Sequence, residues 1–323
     1  MEVVDERYQP YLDPCKVPTP SLDDLRMESN LKLYMDEHIQ LETLAEMNRR
    51  NEILAEVNEI FLQWVQYVAI EELHIPEEEA IEAGGALYIS GSHKLGVREP
   101  DADIDTVCVA PHFCTREHFF SSLKARLLQH PGVENLNAIE TAFIPIISFD
   151  FRKVSIDLLF SQLAQNKVPK NLDILDDSIL RGVDEVTERS LNGPRVTNMI
   201  PKLLRTQAVF DNFLVVLRCV RKWAKARGIY GNKLGYLGGI NCNLLVAFIC
   251  QLYVNAIPSF LLYKFFRIYS TRDWRQNPVQ LNRIKQNPPG EQRNVWSFEN
   301  SSDLMSIITP GTRQTRLLTV HVS

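Results

Sequence analysis

Several common features are missing from this 323-residue chain, and each absence narrows the field. None of its six cysteines, at 15, 108, 114, 219, 242 and 250, forms a CxxC pair, and the first residues lack a secretory signal. Scattered cysteines of this kind are expected to be reduced thiols in a cytosolic or nuclear protein, not a disulfide framework. Cys108, Cys114 and His118 superficially resemble a metal cluster. Cys108, however, falls inside an expected strand and no fourth ligand is apparent, which is not the closed spacing of structural zinc. No apolar run reaches membrane length. The most hydrophobic region, Leu244 to Tyr263, is interrupted by Gln251, Asn255 and Pro258, and reads as one or two buried helices. Internal repeats, long low-complexity segments and strong basic clusters are also lacking.

What is present is an ordinary globular balance of 45% hydrophobic and 23% charged residues, in a length that suits about two domains. The net charge of −5 argues against a general nucleic-acid binder, but the charge is unevenly placed. Residues 1–200 carry 18 Lys+Arg against 35 Asp+Glu, and residues 201–323 carry 17 against 5. That division suits a polyanionic ligand held between metal-binding carboxylates and cationic side chains. Chance unevenness of surface charge is the plainer reading.

Residues 1–20 are rich in proline and turn formers and are expected to be mobile at the start. Ser21-Leu-Asp-Asp opens a helix. From Glu28 to about Leu73, apolar residues such as Ile53, Val57, Ile60 and Trp64 recur at helical spacing, as in long surface helices. Pro76 starts another helix that ends near Gly84-Gly85. The period then changes. Residues 86–90 and 104–109 read as strands, with Gly91-Ser92 a turn and residues 93–97 a short helix. Residues 115–130 form a helix; 143–149 and 153–160 are strands joined near Asp150 to Arg152. Residues 86–160 thus make a small mixed sheet with helices. After 161 the pattern is helical. Phe210, Phe213, Leu214, Leu217, Val220 and Ala224 form one apolar stripe, and further helices are expected at about 236–252 and 257–269. Arg275 to Asn294 reads as loop. The fold class is α+β.

Side chains at i and i+2 of a strand point the same way, so Asp103 and Asp105 share a face. Val154, Ile156 and Leu158 take the core side of the later strand, which turns Asp157 to the opposite side. If the two strands are neighbours, Asp103, Asp105 and Asp157 make a three-carboxylate cluster. Adjacent carboxylates repel and are costly unless something positive sits between them, and a divalent metal is the common solution. Such a cluster can hold two Mg²⁺ ions for phosphoryl transfer. Gly91-Ser92, a small turn at a helix start, offers N–H groups and a hydroxyl to phosphate oxygens. Alone it would be merely a turn; followed by DxD and a third Asp it is far more specific. Arg221 falls within the apolar stripe. Either it points inward at phosphate or its stem snorkels along the stripe edge. Arg218, Lys222 and Lys225 on the neighbouring face either contact RNA or are ordinary solvated residues.

The segment GSHKLGVREPDADIDTVCVAP followed by VSIDLLF resembles the nucleotidyltransferase core of the DNA polymerase beta superfamily, and specifically eukaryotic poly(A) polymerase. The likeness continues through RSLNGPRVT, LRCVRKWAKARGIYGNKLGYLGGI, CQLYVNAIPS, KFFRIYS and IITP, over about residues 15–310. It implies a polymerase-beta-like nucleotidyltransferase mixed sheet with helices, plus a mostly helical central domain. The implied division is a mobile N-terminus at 1–15, N-terminal helices at 16–49 packing with the central domain, a catalytic domain at 50–165, the central domain at 166–310 and a divergent tail at 311–323. The catalytic module would then be an insertion in the second domain. The implied activity is template-independent addition of AMP from ATP to RNA 3′ ends in mRNA polyadenylation, with two Mg²⁺ or Mn²⁺ ions. Asp103, Asp105 and Asp157 would hold the metals. Gly91 and Ser92 would contact the triphosphate. Asn192, Tyr230 and Asn232 would lie around base and ribose, and Gly239 and Ile240 would line the adenine pocket. RNA 3′ ends, ATP and cleavage and polyadenylation factors are the implied partners, with no membrane. The nucleus is implied by the resemblance alone, with the cytoplasm left open.

The chain departs from the family pattern in places. Arg221 stands where the family has a phosphate-reaching lysine, which changes size and fork geometry. Ser90 replaces a phenylalanine before Gly91-Ser92. Ile240-Asn-Cys242 replaces a valine-serine-tryptophan pattern. After Pro310 the resemblance is read as stopping, without the family's third, RNA-binding domain, so weak RNA binding is expected. The alternatives to an active adenylyltransferase are a catalytically weak or inactive nucleotide-binding or regulatory protein, and a relative with altered base choice such as uridylyl addition. The GYLGGI segment argues against the last.

Overall fold

The computed structural model describes residues 8–100, 102–283 and 305–310. The tail at 311–323, the later part of the expected loop at 275–294 and the first part of the expected mobile N-terminus lie outside the described residues. The chain folds as two compact units, Leu41–Arg195 and Met1–Gln40 with Val196–Ser323.

Helix α1 (Leu22–His38) belongs to the second of these units and starts where its sequence says it should. Asp24 N–H donates to Ser21 Oγ, and Ser21 N–H donates back to the Asp24 carboxylate at 2.8 Å. Thr43 and Glu46 cap α2 (Leu44–Tyr67) in the same reciprocal way, which satisfies N–H groups that a helix start leaves without partners.

Within the unit at 41–195, α2 is the core helix and not a surface one. It buries Ile53, Leu54, Val57, Phe61, Trp64 and Val65, and continues as a π-helical turn at Val68–Glu72. The period-3.6 pattern was legible; which face it buried was not. The chain then runs through α3 (Glu77–Ala83), β1 (Ala86–Ile89), α4 (Gly91–Leu95) and β2 (Ile104–Ala110). The expected helix at 115–130 is three pieces: α5 (Arg116–His118), a π turn at Phe119–Leu123 and α6 (Lys124–Gln129). Strands β3 (Val133–Ile139), β4 (Ile146–Phe151) and β5 (Val154–Gln162) complete a five-stranded sheet of order β1-β2-β5-β4-β3. Only the β2–β5 pair is parallel. Strand β3 was not expected from the sequence. It is a mostly exposed edge containing Asn135 at φ +53 and a register shift between Glu134 and Asn137, so neither alternation nor β-propensity marks it.

One sheet face is apolar. Ile104, Cys108, Ile147, Phe149, Phe151, Val154, Ile156, Leu158 and Phe160 pack with α2 and the 119–127 segment in one core. Trp64 is fully buried there, edge-on to Phe160 at 6.1 Å, with its Nε1–H donating to Ser122 Oγ at 2.9 Å. Beyond β5, α7 (Glu185–Leu204) begins beside the sheet. Arg195, 1% exposed, donates through Nη1 to the Ile174 carbonyl at 2.6 Å and pairs with Asp177 at 2.5 Å. The sheet unit runs from Leu41 to Arg195, where the sequence bounds the catalytic domain at 50 and 165.

In the other unit, α8 (Gln207–Ala226) buries Phe213, Val216, Leu217, Val220 and Ala224. The apolar run that is too broken to span a membrane becomes α9 (Gly239–Leu252) and α10 (Pro258–Thr271), separated at Asn255. Among the described residues no helix is long and apolar enough to cross a membrane. The expected loop at 275–294 contains β6 (Val279–Gln280), which pairs in parallel with β7 (Ile307–Ile308). Residues 8–15, expected to be mobile, are tied down: Tyr11 N–H donates to the Leu281 carbonyl at 3.0 Å and Cys15 N–H to that of Leu252 at 2.7 Å. Such long-range backbone pairing leaves no local trace in the sequence.

Trp64→Ala removes the largest buried side chain of the sheet unit and the indole donor to Ser122 Oγ, which keeps its own bond to the His118 carbonyl. Urea unfolding is expected to show a loss of about 3–5 kcal/mol, with Trp64→Phe much milder; equal stability of the alanine variant would contradict this core.

Candidate functional site

The carboxylates sit where the parallel pair meets the solvent-side face of the sheet. Asp105 and Asp157 are direct register partners across β2 and β5. Both are half-buried, while their apolar neighbours Ile104, Ile156 and Leu158 take the opposite face. Ser148 of β4 is the register partner of Asp157 on its other side and donates from Oγ to Asp157 Oδ1 at 2.7 Å. Asp103 precedes β2 and is exposed. Among the described residues no three His, Cys, Asp or Glu side chains are gathered closely enough to hold a metal ion. The structure thus brings Asp105 and Asp157 side by side and leaves Asp103 outside the pair.

Gly91 adjoins this pair. Its φ is +66, and a Cβ placed on it would lie 2.0 Å from Asp105 Oδ2, so no other residue fits without moving the carboxylate. Ser90 N–H donates to the Asp105 carbonyl at 2.9 Å, which fastens the turn to β2. Ser92 lies in the first turn of α4, whose N-cap Ser90 makes no side-chain capping bond. Gly193 of α7 packs against Ser90, a contact for which the small serine leaves room. The neighbouring Asn192 is half-buried, and its Oδ1 is buried without a hydrogen-bond partner among the described residues. A buried acceptor in that state is costly unless a ligand donates to it. The donors at hand are carboxylate oxygens, which suit a hard divalent cation of the Mg²⁺ or Mn²⁺ type. The cysteines do not contribute: Cys108 and Cys114 are buried in the core, and burial raises both thiols well above their ordinary range.

The helical unit holds a second set. Arg221 is 5% exposed, with its guanidinium 5.2 Å from the centre of the Tyr230 ring. The side chain is buried beside this ring and does not run out to solvent. Lys225 Nζ lies 5.4 Å from the same ring. A Cβ on Gly239 would be 3.0 Å from Arg221 Nη1 and 3.2 Å from Tyr230 Oη, and one on Gly238 would be 2.7 Å from Asn232 Oδ1. The glycine pair therefore lets Arg221, Tyr230 and Asn232 converge on the start of α9. Ile240 is half-buried in that turn. Asn241, one of the residues that departs from the family pattern, accepts from Gly238 N–H at 3.1 Å. Arg218 is half-buried; Lys222 and Lys225 are exposed.

Residues 13–204 match the model of the poly(A) polymerase nucleotidyltransferase domain, and residues 212–322 match that of the poly(A) polymerase central domain. The chain belongs to the poly(A) polymerase family. It is 39% identical over 302 residues to nuclear poly(A) polymerase 4 of Arabidopsis thaliana, covering 92% of this chain and 40% of that protein. It is 37% identical over 300 residues to poly(A) polymerase of Dictyostelium discoideum, covering 92% and 36%. It is 39% identical over 273 residues to poly(A) polymerase pla1 of Schizosaccharomyces pombe, covering 83% and 47%. The chain thus spans less than half the length of these curated relatives. The second family match extends past Pro310, into the segment that the sequence reading set apart as divergent. The crystal structure of Cid1 poly(U) polymerase superposes with a TM-score of 0.51 at 13% identity, covering 78% of this chain and 75% of that one. That likeness shows the fold alone.

Ser148 and Gly238 escaped the sequence reading. For Ser148 a signal existed: it is the polar residue between Ile147 and Phe149 on a strand pairing beside Asp157.

Gly91→Ala is expected to cost roughly 1–3 kcal/mol and to push the Asp105 carboxylate aside. Gly96 also has a positive φ, +75, but open space around it. Gly96→Ala should therefore destabilise similarly in urea unfolding while retaining Mn²⁺ binding, which Gly91→Ala should lose. Equal Mn²⁺ affinity in the two variants would rule out the Asp105 contact as the cause.

Proposed function

We propose that this chain is a polynucleotide adenylyltransferase that adds AMP from ATP to RNA 3′ ends. The observation that carries the reading is the in-register Asp105–Asp157 pair with the Gly91 turn pressed against it, in a chain of the poly(A) polymerase family. The base preference rests on the relatives, named poly(A) polymerases, since the fold is shared with a poly(U) polymerase.

Asp105, Asp157 and Asp103, turned inward, would hold two Mg²⁺ or Mn²⁺ ions. When bound, these would supply Lewis-acid polarisation of the attacking hydroxyl and of the phosphate oxygens. The chain's own groups do the rest by positioning and charge neutralisation. Gly91 and Ser92 bind the triphosphate through N–H groups and a hydroxyl. Arg221 offers a fixed fork to phosphate oxygens, held in place by the Tyr230 ring. Within the sheet unit, Asn192 Oδ1 accepts from a donor on the nucleotide. Within the helical unit, Asn232, Gly239 and Ile240 shape the surface at the start of α9 that the resemblance assigns to the base. Ser148 orients Asp157, which also accepts the hydroxyl proton in this reading. Arg218, Lys222 and Lys225 contribute to RNA binding. The site works in the nucleus, where several relatives are named as acting, alongside cleavage and polyadenylation factors. A catalytically weak, nucleotide-binding regulatory protein is the second reading. The arginine at 221 favours it, because fork and ammonium are not interchangeable at a phosphate.

Primer extension tests both. An oligo(A) primer, each NTP separately and Mg²⁺ or Mn²⁺ should give extension with ATP alone, abolished in Asp103→Ala, Asp105→Ala. Folded protein that binds ATP without extending the primer would leave the regulatory reading. In active protein, Arg221→Met should raise the ATP KM by about tenfold or more, since a charge-assisted hydrogen bond is worth roughly 1.5–3 kcal/mol. An unchanged KM would remove Arg221 from the phosphate site.

A further inference from the structure

Between α4 and β2 runs the loop that delivers Asp103, and one side chain holds it. Arg50, on α2, is 7% exposed. Its Nη1 donates to the Ala102 carbonyl at 2.7 Å and its Nη2 to the Pro100 carbonyl at 2.5 Å. The Ala102 carbonyl belongs to the peptide that leads into Asp103. On its other edge, Nε lies 2.5 Å from Glu42 Oε1, with both side chains buried. Glu42 is bound to the same loop through its backbone: its N–H donates to the Arg98 carbonyl at 2.8 Å, and its carbonyl accepts from Arg98 Nη2 at 2.6 Å. Alternate carbonyls of the loop, at 98, 100 and 102, are thus all fastened to the Glu42–Arg50 pair.

We propose that Arg50 is a positioning residue for the carboxylate site: its fork sets the loop that carries Asp103, and thereby how tightly the site takes a divalent cation. The inference rests on the reading of Asp103, Asp105 and Asp157 as metal ligands. Two observations favour position over bulk stability as the role of the pair. Buried ion pairs contribute little net stability, because desolvation offsets attraction. Here burial raises the Glu42 carboxyl by more than the Arg50 charge lowers it. Asp103, moreover, is the one carboxylate of the three that lies outside the β2–β5 pairing, so its approach depends on the loop. The Arg50 charge is also felt at α4. His93 of α4 is held below its ordinary pKa, first by burial and then by the Arg50 charge. A lysine could keep the charge beside Glu42 but not bridge two carbonyls in a planar fork.

The test is a Mn²⁺ titration of the full chain, followed by the electron paramagnetic resonance signal of free Mn²⁺. Wild type, Arg50→Lys, Asp103→Ala and the double variant are compared, with Arg50→Gln carried in parallel should the lysine variant not fold. Arg50→Lys is expected to weaken Mn²⁺ binding about 10–100-fold, as loss of an orienting group does at metal sites. The double variant should bind no more weakly than Asp103→Ala alone, because both changes remove one coupled contribution. An Arg50→Lys affinity within about twofold of wild type, or a loss that adds in full to that of Asp103→Ala, overturns the positioning role and leaves the adenylyltransferase reading standing. Wild-type Mn²⁺ binding that is indifferent to Asp103→Ala and Asp105→Ala overturns the metal-site reading itself, and the role of Arg50 with it.

Discussion

The parallel pairing of β2 with β5 is the constraint on which the rest of the sheet unit depends. It sets two carboxylates directly opposite one another, an arrangement that electrostatics opposes. Hydrophobic packing on the reverse face holds it. A slip of one residue in either strand would turn Ile104 or Ile156 to solvent and drive an aspartate into the core beside Trp64. Register and site are therefore one property. The apolar alternation of Val154 to Phe160 fixes the strand, and the strand aims Asp157.

The surrounding contacts shape the space beside that pair. Ser148 donates to Asp157 from one side, while Gly91 gives up its side chain so that the Asp105 carboxylate can stand against the turn. Asp103 is governed differently, by a loop tied to α2, which separates the part of the site built by strand pairing from the part built by tethering. In the helical unit a comparable economy applies to Arg221. A buried guanidinium is expensive to desolvate, and it sits over the Tyr230 ring, whose face attracts a cation, with Gly239 at the start of α9 clearing space for it.

Much of this was legible because the signals are local. Reciprocal caps at Ser21 and Thr43, the glycine of the Gly91 turn, and the two-residue alternation around Asp157 each act within a few positions of the chain. What escaped reading was non-local or weakly patterned. Strand β3 is an exposed edge rich in Glu and Asn. Strands β6 and β7 are two residues each and pair across a long stretch of chain. Residues 8–15 look like a mobile terminus until Leu252 and Leu281 supply their hydrogen-bond partners. The helical period of α2 was evident, but not that its apolar face is the floor of the sheet.

By itself the sequence determined the α+β class, the spacing of the three aspartates, the side of its strand on which Asp157 lies, and membership in the poly(A) polymerase family. These follow from periodicity and from motifs in contiguous residues. Only the tertiary structure decided that β2 and β5 are neighbours, that Ser148 reaches Asp157, that Arg221 turns inward to Tyr230, and that Arg50 grips the loop before Asp103. Each of those depends on which distant segments share a face once the apolar surface is buried, and burial is a property of the whole chain that no short window records.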